Sequence, residues 1–202
     1  MAVKNIIFDL GGVILNIDLK KTQDAFTSLG VKNIEEVFRM GHVESVFKAY
    51  EIGAIDDDQF IASIQQMAGI QVEKDIVVEA WNALLLDFPP ERIQLLKKLK
   101  DKYRLFLLSN TSALHHVKFH QLFNQQFGGS LDDLFDKAYY SHIIKLHKPE
   151  AAAYHLIIHE NDLAADETLF IDDSAANVEG AIKTGLQGLH LVNGKTILEL
   201  GL

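Results

Sequence analysis

Five short apolar runs, most of them separated by helical patterning, constrain this chain of 202 residues more than any other feature. They are Ile6-Ile7-Phe8, Leu105-Phe106-Leu107-Leu108, Ala138-Tyr139-Tyr140, Thr168-Leu169-Phe170-Ile171 and Leu189-His190-Leu191-Val192. Near-continuous runs of this length suit parallel strands buried on both faces. Amphipathic stretches at 91–101, 113–123, 150–159 and 175–184 read as helices; in the first, Ile93, Leu95, Leu96 and Leu99 form a stripe at helical spacing. Strand alternating with helix predicts an α/β fold built on a doubly wound parallel sheet.

Residues 18–88 break that rhythm. Phe38, Val43, Val46, Phe47, Phe60, Ile64, Met67 and the run from Val77 to Leu86 all follow a helical pattern, and nothing there reads as a strand. About seventy residues therefore separate the first strand from the second, far more than the dozen or so of a βαβ crossover. Pro89-Pro90 marks the return to the sheet, since proline ends a preceding helix. The expected organisation is a core of 1–17 and 89–202 with an inserted all-helical cap domain at 18–88.

Three strands end in polar residues of catalytic type: Asp9-Leu10-Gly11-Gly12, Ser109-Asn110-Thr111 and Asp172-Asp173-Ser174. Ligands of a doubly wound sheet sit beyond the carboxyl ends of its strands, where the order reverses. With strand order 3-2-1-4-5, Asp9, Ser109 and Asp172-Asp173 converge, because neighbouring strands lie about 4.8 Å apart. Lys148-Pro149-Glu150 follows the third strand and adds a lysine to the same edge. Clustered carboxylates need a cation, and oxygen donors without cysteine or histidine suit magnesium, which shares its shell with a phosphate. Lys148 and the Ser109 hydroxyl can hold phosphate oxygens. Asp9, on a glycine-rich turn, can attack phosphorus and form an aspartyl-phosphate, which divides one hard hydrolysis into two easier steps.

Composition narrows the partners. Nineteen Lys and Arg against twenty-eight Asp and Glu give a net charge of −9, which argues against nucleic acid and against an anionic membrane surface. Without cysteine there is no disulfide and no thiolate metal site. No apolar run reaches the about 20 residues of a membrane span. MAVKNIIFDLGG does not read as a signal peptide, so a cytoplasmic setting is expected.

Asp9-Leu10-Gly11-Gly12-Val13, Ser109-Asn110, Lys148-Pro149 and Asp172-Asp173 resemble, in order and spacing, the four motifs of the haloacid dehalogenase superfamily. The insertion after the first motif resembles its type-I helical cap. LSNT followed by Leu114-His115, KPE with Tyr154, and DDxxxN with Glu179-Gly180-Ala181 resemble the bacterial branch that contains alpha-D-glucose-1-phosphate phosphatase. The resemblance implies that Asp9 is the nucleophile and a magnesium ligand, with the Gly11 carbonyl, Asp172 and Asp173 completing the metal site. It implies that Ser109, Asn110 and Lys148 bind the phosphoryl group and that Asn177 supports the loop. The expected enzyme is a magnesium-dependent phosphatase acting on a small phosphomonoester such as a sugar phosphate.

One position departs from the family pattern: Gly11 stands where most of these phosphatases carry a second Asp as general acid and base. Such help is typically worth 10²–10⁴-fold. Asp18 is a tentative substitute, with His115 or water as others, although Asp18 also suits a helix cap. Two rivals follow from Gly11: a dehalogenase of the same fold, and a catalytically silent binding or regulatory protein. His116 and His120 share a helical face but lack a third ligand, and Asp56-Asp57-Asp58 reads as a helix start. Residues 18–88 hold thirteen acids and six bases. An insert that acidic disfavours an anionic leaving group.

Overall fold

The apolar runs form one five-stranded, wholly parallel sheet in the order β3-β2-β1-β4-β5. Its strands are β1 (Asn5–Phe8), β2 (Arg104–Ser109), β3 (Lys137–Tyr140), β4 (Thr168–Asp172) and β5 (Gln187–His190). The computed structural model describes residues 2–43, 45–192 and 194–202. In the central register Ile6 lies opposite both Leu105 and Leu169, and Phe8 opposite both Leu107 and Ile171.

Alternation along each strand divides the side chains between two faces. Ile6, Phe8, Leu105, Leu107, Leu169 and Ile171 pack under α6 (Pro90–Leu99) and α7 (Ala113–Phe127), through Ile93, Leu96 and Leu99 of one and Phe119 and Phe123 of the other. Ile7, Phe106, Leu108 and Phe170 meet α9 (Ala151–Glu160) and α10 (Ala175–Lys183), through Ala153, Tyr154 and Ile157 of the first and Val178 and Ala181 of the second. A short α8 (Ser141–Ile144) follows β3. Burial on both faces is what the runs without polar alternation required.

The last strand lies two residues earlier than the expected 189–192. As an edge strand it is selected by pairing rather than by an apolar run: Leu169 faces Gln187 and Ile171 faces Leu189. Gly188 fits there because α10 packs so closely that a Cβ would meet Val178 and Ile182 at 2.8 and 2.7 Å.

Among the described residues between β1 and α6 stand five helices, α1 (Leu19–Ser28), α2 (Ile34–Val43), α3 (Val46–Glu51), α4 (Asp57–Ala68) and α5 (Lys74–Asn82). They enclose their own apolar cluster, built from Phe26, Val37, Phe47, Tyr50, Phe60, Ile64, Val77 and Trp81. Asp56 starts α4 with a reciprocal cap, its carboxylate accepting from Gln59 N–H and the Gln59 side chain accepting from Asp56 N–H.

The helical reading of Val77 to Leu86 runs too far, because α5 stops at Asn82. Beyond it the chain pairs with the outgoing segment instead. Asn16 N–H donates to Asp87 C=O (2.9 Å), Leu86 N–H to Asn16 C=O (3.0 Å) and Asp18 N–H to Leu84 C=O (2.9 Å). These antiparallel linkers, closed by the Ile17–Leu85 bridge, join the helices to the sheet. Thr22, fully buried, pins the junction by donating to Trp81 C=O and accepting from Leu84 N–H.

Candidate active site

The parallel sheet places the ends of β1, β2 and β4 along one edge. Asp9 follows β1 and keeps one ladder bond, its N–H donating to Ile171 C=O at 2.9 Å. Asp172 ends β4 and is fully buried, while Asp173 faces outward. One carboxylate oxygen of each of these three lies within 4.8 Å of the others; among the described residues this is the acidic or histidine group that converges so closely.

Lys148 enters from the loop after α8 and is only 1% exposed. Its Nζ donates to Asp9 Oδ1 at 2.5 Å and to Asp172 Oδ2 at 2.7 Å. Asp172 also accepts from Ser174 N–H (2.7 Å) and from Asn177 Nδ2 at 3.2 and 3.1 Å. Tyr154 Oη, donating to Asn177 C=O at 2.7 Å, steadies that loop.

Three carboxylates against one ammonium leave excess negative charge. Burial, reinforced by Asp172 and opposed by Lys148, pushes the Asp9 carboxyl from 3.8 up to about 7. Asp173 is raised in the same direction by burial and then by Asp172. Burial pulls on Lys148 the other way, but the attraction of Asp9 and Asp172 outweighs it, so the ammonium stays charged. A site this acidic, offering oxygen donors alone, fits a hard divalent cation such as magnesium.

The turn after Asp9 explains its glycines differently. Gly12 has φ +74° and lies against the Asp173 carboxylate, which a Cβ would overlap. Gly11 has ordinary backbone, and a Cβ there would approach Ile17 Cδ1 to 3.2 Å, so Ile17 would have to give way slightly to admit one.

The other expected residues are placed as follows. Ser109 ends β2, buried, beside β1. Asn110 follows it, with its side chain held by protein. Its Oδ1 accepts from Lys148 N–H (2.9 Å), and its Nδ2 donates to Lys148 C=O (3.0 Å) and faces His147 Nδ1 (3.2 Å). These bonds tie the Asn110 side chain to the Lys148 segment. The Asp18 carboxylate caps α1, accepting from Lys20 N–H at 2.9 Å. His115 stacks on Trp81, with Nε2 3.1 Å from Trp81 C=O, and burial pushes its pKa down to about 4. His116 and His120 are half-buried against Tyr140, with His142 beside His116.

Sequence reasoning missed how the helical insert reaches this edge. Glu51, the last residue of α3, meets His147 Nε2 at 2.7 Å, and Lys48 meets Glu150 at 2.6 Å. Tyr50 Oη accepts from Leu114 N–H at 3.2 Å. These contacts join residues 64 to 102 positions apart, and no local pattern announces them.

Compared with known proteins, residues 3–185 match the family model of the haloacid dehalogenase-like hydrolases. A D-ribitol-5-phosphate phosphatase from Bacteroides thetaiotaomicron is 28% identical over 193 residues, covering 95% of this chain and 93% of the relative. A solved HAD family enzyme from Bacteroides thetaiotaomicron superposes with TM-score 0.92 at 32% identity, over 99% of this chain and 98% of that one. Its complex with magnesium and inorganic phosphate gives 0.91 over the full length of both. An L-2-haloacid dehalogenase from Xanthobacter autotrophicus shares the fold, with TM-score 0.63 at 20% identity over 94% of this chain and 77% of that one.

Proposed function

The chain belongs to the haloacid dehalogenase-like hydrolases, and within that family we propose that it is a magnesium-dependent phosphatase of small phosphomonoesters. The observation that carries this reading is the convergence of Asp9, Asp172 and Asp173 around one point with buried Lys148 bridging two of them. Support comes from the phosphatase relative and from the similar enzyme solved with magnesium and phosphate.

In this reading Asp9, Asp172 and Asp173, with the Gly11 carbonyl, hold the magnesium. Bound there, the metal neutralises carboxylate and phosphate charge and polarises the phosphoryl oxygens. Lys148 and the Ser109 hydroxyl hold the other phosphoryl oxygens, and Asn110 keeps the Lys148 backbone in register. The Asp9 carboxylate attacks phosphorus; the bond from phosphorus to the alcohol oxygen breaks and the alcohol leaves. Water then attacks the aspartyl-phosphate, releasing inorganic phosphate and restoring Asp9. Residues 18–88 act as the cap that shields these steps from bulk water and selects the alcohol.

With no carboxylate at position 11, protonation of the leaving oxygen falls to another group. His115 is kept neutral and bonded to Trp81. Asp18 can take the role only by leaving its helix cap, and Asp18→Asn separates the two jobs because asparagine also caps. Unchanged turnover in that variant removes Asp18 from the chemistry.

The net −7 of residues 18–88 disfavours a second phosphate on the leaving group, and the named relative acts on a phosphorylated polyol. A sugar or polyol monophosphate is therefore the substrate class. Assaying phosphate release from a panel of phosphorylated metabolites with magnesium tests the reading; a preference for nucleotides or bisphosphates overturns the substrate class. Activity that survives EDTA would favour the dehalogenase-like reading, which the paired Asp172 and Asp173 count against. Asp9→Asn should abolish turnover with the fold intact.

A further inference from the structure

We propose that Glu51, carried by the helical insert, is a positioning residue for Lys148, acting through His147 and Asn110, so that docking of the insert sets the buried cation of the site. The proposal rests on the phosphatase reading above for its kinetic consequence, while its structural content stands apart from it.

The chain of bonds fixes its own polarity. Asn110 Oδ1 must be the acceptor from Lys148 N–H, and Asn110 Nδ2 the donor to Lys148 C=O. Backbone groups thus decide which end of the amide is nitrogen, an assignment geometry alone leaves open. The second hydrogen of Nδ2 points at His147 Nδ1, 3.2 Å away. That ring nitrogen must then be bare, because two donors cannot face each other. The imidazole proton sits on Nε2, and Nε2 donates to Glu51 Oε2 at 2.7 Å. A doubly protonated His147 would break the link to Asn110 even as it strengthened the one to Glu51.

The two ends of this relay have different work. At the core end, Asn110 grips the backbone of Lys148, whose Nζ bridges Asp9 and Asp172. At the other end Glu51 terminates α3, one turn after Lys48, whose pair with Glu150 aligns the same helix. Lys48 and Glu150 are each about half exposed (51% and 51%), so that pair contributes little on its own. Glu51 and His147 are more shielded, at 32% and 20%, and a charge-assisted bond in such surroundings is worth about a tenfold effect. When the insert lifts, Nε2–H loses its acceptor, and the His147 ring is free to rotate away from Asn110 and only then to exchange tautomers. Docking of the insert thereby restores the alignment of Lys148 at the moment the site closes.

Two measurements on the full-length protein test this. Long-range proton–nitrogen NMR of His147 should show the Nε2–H tautomer in the wild type and a mixture of tautomers in Glu51→Ala. A Nδ1–H or doubly protonated ring at neutral pH, or an unchanged ring in Glu51→Ala, overturns the proposal. Kinetics with p-nitrophenyl phosphate and magnesium supply the second readout. Glu51→Ala should lower kcat about tenfold with KM within about twofold, and Glu51→Gln, which keeps an acceptor, should recover most of the loss. His147→Asn offers an oxygen to Asn110 but cannot reach Glu51, so it should match Glu51→Ala, and the double variant should be no worse than either. A wild-type kcat in Glu51→Ala, or losses that multiply in the double variant, refutes the relay. A wild type without turnover would sink the phosphatase reading and leave the NMR result to decide the relay.

Discussion

Replacing Asp9 by Asn should inactivate the protein and, without magnesium, make it more stable. The metal-free site holds three carboxylates around one ammonium, and the Asp9 carboxyl is pushed from 3.8 to about 7, first by burial. Above pH 7 the fold must keep Asp9 ionised in a place that resists ionisation, whereas the unfolded chain ionises it freely. A gap of about 3 pH units at 1.36 kcal/mol each is about 4 kcal/mol; relaxation of so tightly coupled a site reduces this to about 2–4 kcal/mol. The sign follows from proton counting. Between pH 4 and 7 the folded state binds the extra proton, so wild-type stability is lost as pH rises through that window and is level above it. Asparagine keeps an oxygen for Lys148 Nζ and carries no charge, so Asp9→Asn escapes the loss. At pH 8 in EDTA its Tm should exceed that of the wild type by about 5–15 °C for a chain of this size. By pH 5 the difference should shrink by more than half, and saturating magnesium should narrow it at pH 8 by stabilising the wild type. Thermal unfolding followed by circular dichroism reads all three. An Asp9→Asn protein less stable than wild type at pH 8 in EDTA would refute the charge argument.

Magnesium must displace the proton that Asp9 carries, so its apparent affinity should fall about tenfold per pH unit below about 7; titration calorimetry showing no dependence on pH would remove Asp9 from the metal shell. Gly12→Ala forces alanine to φ +74°, about 1–2 kcal/mol of strain, and drives a methyl into the Asp173 carboxylate. It should weaken magnesium binding at least about tenfold, and unchanged calorimetric affinity would show that Asp173 is not a ligand. Burial pushes His115 and His116 down to about 4, so each is neutral when folded and charged when unfolded between about pH 4 and 6.5. In the Asp9→Asn background, where the opposing carboxyl is gone, stability should rise with pH across that window by no more than about 3 kcal/mol for His115 and less for the half-buried His116. Urea midpoints that stay level from pH 4.5 to 6.5 would contradict it.

A site that destabilises its own metal-free fold is coherent once its ligands are counted. Lys148 alone at 1% exposure would give up its proton; Asp9 and Asp172 keep it charged and so keep a cation ready for phosphate. With all three carboxyls ionised and no metal bound, those same groups give an excess of about two negative charges, which repels a phosphate dianion. Metal before phosphate is therefore the order that electrostatics permits, and the strain at Asp9 is relieved by the ligand that the chemistry needs.

The sheet was legible because a parallel strand buried on both faces cannot hide its composition, and because the order 3-2-1-4-5 brings Asp9, Ser109 and Asp172 to one edge whatever the loops do. Where pairing rather than burial chose the residues, as in β5, the reading slipped by two positions. The end of α5 was misplaced for a related reason: Leu84 to Asp87 are helix-compatible, but Thr22 and Asn16, some sixty to seventy residues earlier, claim their backbone groups. Gly11 shows the limit most plainly. The sequence announces that a carboxylate is missing there, yet only the fold shows that Ile17 crowds the position, that Asp18 is engaged as a cap and that His115 is neutral and bonded. Both side chains that one-dimensional reasoning could nominate, Asp18 and His115, already have other work. In the phosphatase reading the proton for the leaving alcohol then falls to water, or to Asp18 once it leaves its cap. The contacts that dock the insert run through α3 and Trp81, which the motifs do not describe.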